Sequence, residues 1–159
     1  MRVNLLFDNP GAVRSGYLNI DPFAPTPDTH GRVVGDVNNL DKLVENGEAE
    51  EIVAHDILGY FPPQQVDEVL GNWLGKLAHK GILTVACPDV GEAARQFLQN
   101  LIRIEDYNVL LHGEQTEGWQ LRRSSFTLPL LVGVFTTRGF RVIQKRIQNN
   151  FAVVTAQRS

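Results

Sequence analysis

The sequence is poor in several chemistries at once. Cys87 is the only cysteine among 159 residues, so the chain forms no internal disulfide and cannot assemble a tetrahedral thiolate zinc site by itself. Its four histidines, His30, His55, His79 and His112, show no ligand spacing such as i, i+4 on a helix, and no metal site is expected. No apolar run is long enough for a membrane span, and the opening Met1–Phe7 meets Asp8 and Pro10 too soon for a signal peptide. There is no internal repeat and no low-complexity tract. Fifteen basic against eighteen acidic side chains leave a net charge of −3. An acidic total argues against binding along a nucleic-acid backbone, which needs clustered cations. The reading is a soluble, cytoplasmic protein of a reducing compartment, with no nucleic-acid or membrane partner.

What remains is an ordinary globular composition, 43% hydrophobic and 21% charged, in a chain long enough for one core and too short for two. Residues 1–159 are therefore read as a single domain. Short apolar runs alternate with helical periodicity. Candidate strands cover Val3–Phe7, Leu18–Asp21, Arg32–Val37, Glu51–Leu58 and Ile82–Cys87. Pro22, Pro25 and Pro27 exclude helix and inner strand between the second and third. Asn39 is placed to cap a short helix through Val44. A longer helix starts at Pro62-Pro63, carries Val66, Val69, Leu70, Trp73, Leu74 and Leu77 on one face, and closes at Lys80-Gly81.

Asp89 with Glu92 three residues on forms a capping-box variant that opens the next helix. An irregular stretch is expected over Glu105–Phe126. Thr127 then caps a helix that Gly139 stops, and Asn149-Asn150 predicts a hairpin between Phe140–Ile147 and Phe151–Ala156. The last segment is apolar on both faces and belongs inside a sheet. The alternation implies an α/β, Rossmann-like three-layer sandwich, its sheet mostly parallel with a C-terminal antiparallel hairpin. In such sheets ligands bind at the carboxyl ends of the strands, where strand order reverses.

The segments at those ends, Val3-Asn4-Leu5, Gly16-Tyr17-Leu18-Asn19-Ile20-Asp21, Gly35-Asp36-Val37, Glu51 to Leu58 and Cys87-Pro88-Asp89, resemble in kind and order the small class I S-adenosylmethionine-dependent methyltransferases, specifically their short subgroup. The resemblance spans nearly the whole chain and implies methyl transfer from S-adenosylmethionine to a small-molecule or glycan-like acceptor. It places Leu5, Phe7 and Asp8 at the first strand's tip beside the cofactor. Asp21 would accept from the ribose hydroxyls, Asp36 from the adenine amino group, and the Val37 backbone would lie beside the ring. His55, Asp56 and Leu58 would line the methyl side.

The chain departs from the family pattern where Leu6-Phe7-Asp8 replaces a Gly-x-Gly turn, so side chains stand where glycine leaves room for the cofactor. The alternative implied by that degenerate motif is a catalytically inactive binding or assembly module. On the acceptor side, the polar and aromatic segment from Glu105 to Gln115 offers Tyr107 and His112 as catalytic candidates, His112 as a general base. Cys87, between Ala86 and Pro88 in an apolar strand, reads as a small core residue.

Overall fold

A computed structural model describes residues 1–159. Seven strands form one sheet: β1 (Arg2–Leu5), β2 (Leu18–Ile20), β3 (Arg32–Val33), β4 (Ala49–His55), β5 (Leu77–Pro88), β6 (Arg141–Gln148) and β7 (Phe151–Gln157). Their order is β3-β2-β1-β4-β5-β7-β6, parallel from β3 to β5 and antiparallel at β7 and β6. The helices are α1 (Pro63–Lys76), α2 (Val90–Leu98), α3 (Ile104–His112) and α4 (Leu128–Thr136). No helix is long and apolar enough to cross a membrane.

The core lies on one face of the sheet. Val3, Leu5, Ile20, Ile52, Ala54, Leu83, Val85, Val154 and Ala156 point there, against Leu70, Trp73 and Leu74 of α1 and Leu131 and Phe135 of α4. Period-two alternation sends the residues between them to the opposite face: Asn4, Asn19, Val53, Thr84, Ala86, Val153 and Thr155. There the chain supplies a 3-10 turn, Pro10–Ala12, and the loop that follows, where a longer first helix had no room to form. Buried Asn4 and Asn19 fasten that loop. Asn4 donates to the Ala12 carbonyl at 2.9 Å, and Asn19 both accepts from the Arg14 N–H at 2.9 Å and donates to the Arg14 carbonyl at 3.0 Å.

Local signals read from sequence hold at several joints. Asp89 accepts from the Glu92 N–H at 2.9 Å, capping α2, and its other oxygen accepts from Leu128 N–H at 2.8 Å, so one buried carboxylate starts two helices. Thr127 caps α4 and Gly139 follows it at φ +77°. Asn149 and Asn150, both left-handed, turn β6 into β7, and β7 sits inside the sheet as its two apolar faces require.

Other boundaries move. α1 ends at Lys76, not Lys80: Leu77 leaves the helix to pair with Ala49 as the first residue of β5. Gly81 is thus a strand glycine rather than a cap. A Cβ there would meet the Ala49 carbonyl at 2.8 Å, at the irregular register between β4 and β5. The third strand stops at Val33, and β4 stops at His55. Asn39–Val44 makes one turn, closed by Val44 N–H on Leu40, not a helix. The stretch expected to be irregular contains α3, opened by Asp106, whose carboxylate accepts from the Arg103 backbone N–H at 3.1 Å.

Candidate functional site

A cavity of about 580 Å³ opens at the tips of β1 and β4, where the strand order reverses. Leu5, Phe7, Asp8, His55 and Asp56 are among the residues that line it. Leu5 is buried in the core and forms only its inner wall.

The turn after β1 explains how Leu6-Phe7-Asp8 builds this tip without a glycine. Asp8 takes a left-handed conformation, φ +45°, which aspartate tolerates better than most residues. The Asp8 and Asn9 N–H groups then point back to Asp21, at 3.0 and 3.3 Å. Phe7 enters a cluster of rings, 5.9 Å from Phe23, 5.6 Å from Tyr60, 5.9 Å from Phe61 and 5.5 Å from Trp119. Trp119 stacks on Phe23 at 5.2 Å and meets Tyr60 at 5.5 Å.

Asp21 does not face the cavity. Its carboxylate is fully buried and accepts four hydrogen bonds: Asp8 N–H and Phe23 N–H on one oxygen, Asn9 N–H and the Arg32 guanidinium, at 3.0 Å, on the other. Four acceptances fill a carboxylate, so no lone pair is left for a ribose hydroxyl. Arg32 is itself clamped by Asp28 at 3.1 and 3.2 Å, and that contact holds the Asp28 carboxyl down at about 2. The adenine-side expectations are displaced too. Asp36 is exposed and caps Asn38 N–H, while the buried Val37 gives its carbonyl to the Trp73 indole at 2.8 Å. Leu58 is wholly in the core, packed where the cavity does not reach.

On the β4 side, Asp56 at φ +59° makes a two-pronged ion pair with Arg122, whose guanidinium lies 5.0 Å over the Tyr60 ring. Burial, and then the Asp56 charge, push the Tyr60 phenol up to about 12, so it stays protonated and can donate a hydrogen bond. His55 is exposed, stacks on Phe151 at 5.1 Å and has no hydrogen-bond partner within the chain. Burial pushes the Cys87 thiol up, which removes it as a nucleophile.

The two acceptor-side candidates lie elsewhere. Tyr107 stacks on Phe97 at 5.1 Å, joining α3 to α2, and His112 is exposed at the end of α3; neither lines the cavity. Just beyond His112, the residues that do line it are Glu114, Trp119 and Gln120. Glu114 falls within the acceptor-side segment read from the sequence, whereas Trp119, Gln120 and Arg122, the partner of Asp56, lie beyond it. Gly113, at φ +85°, is a local sign that the chain turns inward there: a Cβ would strike the Gln120 carbonyl.

No family model matches the sequence, and no curated protein does. The fold has solved counterparts. An O-methyltransferase family protein from Burkholderia thailandensis is similar over 99% of this chain and 51% of its own, at 15% identity and TM-score 0.64, so this chain spans about half its length. A 1,6-didemethyltoxoflavin-N1-methyltransferase from the same organism, solved with 1,6-didemethyltoxoflavin and S-adenosylhomocysteine bound, is 14% identical over 99% of this chain and 72% of that one, with TM-score 0.62. A SAM-dependent methyltransferase of Thermotoga maritima, a possible histamine N-methyltransferase, is 14% identical over all of this chain and 83% of that one, with TM-score 0.63. At such identities the likeness is one of architecture: the chain has the class I SAM-dependent methyltransferase fold.

Proposed function

We propose that the chain transfers a methyl group from S-adenosylmethionine to a small-molecule acceptor, with the donor held in the cavity at β1 and β4. The observation that carries this reading is the joining, at the strand-order reversal, of ring faces from Phe7, Tyr60 and Trp119 with the carboxylates of Asp8 and Glu114. Rings and carboxylates both attract a cation, and S-adenosylmethionine carries a sulfonium and an ammonium. When bound, that donor supplies an electrophilic methyl group.

The fit is to this end of the donor. Asp21 is closed to the ribose, so the nucleoside is held against the Trp119 and Tyr60 faces rather than by the acid at the β2 tip. Asp56, neutralised by Arg122, stiffens the wall. His55 stands on the rim with its ring nitrogens free, the group best placed to take a proton from an acceptor hydroxyl or amine. Methyl transfer asks little beyond such placement.

The test is calorimetric titration with S-adenosylmethionine and S-adenosylhomocysteine. Saturable binding at micromolar ligand, weakened about tenfold in the Asp8→Asn, Glu114→Gln double variant, supports the reading. Absence of heat and of thermal shift at millimolar ligand contradicts it. That second outcome belongs to the other reading, a binding or assembly module without catalysis, which the saturated Asp21 carboxylate and the side chains of Leu6-Phe7-Asp8 in place of Gly-x-Gly favour.

A further inference from the structure

A second hollow, about 330 Å³, lies on the sheet face opposite the core and shares Arg14 and His55 with the first. Its lining comes from strands, the loop after β1 and the hairpin turn; no helix contributes. Register fixes its layout. His55 stands beside Ala86, Ala86 beside Val153 and Val153 beside Arg146, one row across four strands. Ala86 and Val153 form an apolar floor, and His55 and Arg146 stand at its two ends, about 14 Å apart at three strand spacings. Phe151 backs His55 as a stacked plate.

Arg14 overhangs the floor, and its position is built. The buried Asn4–Asn19 pair, joined at 2.9 Å, holds the Arg14 N–H and carbonyl, so the loop is anchored on both sides of that residue. The charges are unspent. Neither Arg14 nor Arg146 has a carboxylate partner; Arg14 lies 5.8 Å over the Tyr17 ring and Arg146 donates to Gln148 at 2.9 Å. No acidic residue lines the hollow. Glu51, which also faces outward from β4, is held by the Tyr17 hydroxyl at 2.6 Å and by Arg2 at 4.0 Å. Two uncommitted guanidiniums and an imidazole over an apolar floor, with Thr84 and Gln148 as hydrogen-bonding walls, suit an anion carried on a small organic body.

We infer that this groove binds the acidic group, phosphate or carboxylate, of a small molecule, between Arg14 and Arg146. That the molecule is the methyl acceptor rests on the proposed methyl transfer; that the groove takes an anion does not. The first cavity presents carboxylates and rings, the second Arg146 without any carboxylate, and Arg14 and His55 stand at their junction. A cationic donor and an anionic acceptor are thereby sorted to opposite sides of one imidazole.

The experiment titrates the full chain at low ionic strength with inorganic pyrophosphate and, separately, with succinate, and repeats both with the exposed-strand variant Arg146→Met, with Arg14→Met and with the distant control Lys42→Met. The expected result is saturable binding of at least one anion, weakened about tenfold by each groove variant and unchanged by the control; whichever anion binds names the acidic group. S-adenosylhomocysteine affinity, measured in parallel, stays unchanged in Arg146→Met. If arginine-dependent anion binding is present and S-adenosylhomocysteine does not bind, the groove stands and the methyl-transfer reading falls. If neither anion binds, or Arg146→Met binds both as the unaltered chain does, the inference is overturned.

Discussion

The two halves of the sheet's carboxyl edge do opposite things. At the β2–β3 end, Asp21, Arg32 and Asp28 form a dry, saturated ion network. At the β1–β4 end, Asp8, Glu114 and His55 line an open cavity, and the Asp8 carboxylate reaches Arg32 only at 3.8 Å, beyond hydrogen-bond distance. Both ends carry acids, so acidity alone does not distinguish a ligand site from a structural one. What distinguishes them is whether the carboxylate's lone pairs are already taken.

That contrast breaks most sharply under paired substitutions. Asp21→Ala leaves one N–H of the buried Arg32 guanidinium, still paired with Asp28, and the N–H groups of Asp8, Asn9 and Phe23 without their acceptor, a loss of about 3 kcal/mol or more. Asp8→Asn keeps a residue that tolerates the left-handed turn and keeps the backbone N–H, and loses only a half-exposed 3.8 Å pairing with Arg32, so it should stay within about 0.5 kcal/mol. Urea denaturation measures both; equal losses would erase the distinction between the two ends.

Acid sharpens the same contrast. Arg32 holds the Asp28 carboxyl at about 2, below its ordinary 3.8. Its stabilisation is complete above the unfolded chain's value and is lost as pH falls from about 4 through about 2, because the unfolded chain protonates first. The urea midpoint should fall across that window, and Asp28→Asn should flatten part of the fall. A variant with an unchanged slope would mean that Arg32 does not favour the charged form. Glu92, held at about 2 by Arg95, contributes to the remaining slope in the same sense.

Much of the scaffold was legible because its determinants are local. Asn149-Asn150 needs two left-handed residues and has them, Asp89 meets its N–H partner three residues on, and Gly139 ends α4. α1 was read too long because Leu77 continues the apolar helical face while being the first residue of a strand; only its pairing with Ala49 decides the matter. α3 was missed because it is a short helix that buries no side chain fully, and its apolar residues are interleaved with polar ones.

The site was legible in place but not in state. The chain positions Asp21 at the β2 tip as its order suggests, yet its partner Arg32 comes eleven residues later, across a proline-rich loop, and no spacing rule joins them. Likewise Trp119 reaches Phe7 only through the turn at Gly113 and the packing of the rings.

The chain has two tryptophans, one at each end of this edge: Trp73 bonded to the Val37 carbonyl beyond the closed half, and Trp119 in the wall of the open cavity. Their indole N–H signals in a ¹H–¹⁵N correlation spectrum, followed through an S-adenosylhomocysteine titration, report separately on the two halves. The expected result is a saturable shift of the Trp119 signal with the Trp73 signal unmoved. A shift of Trp73 with Trp119 still, or no shift of either at millimolar ligand, would contradict a ligand site at the open end.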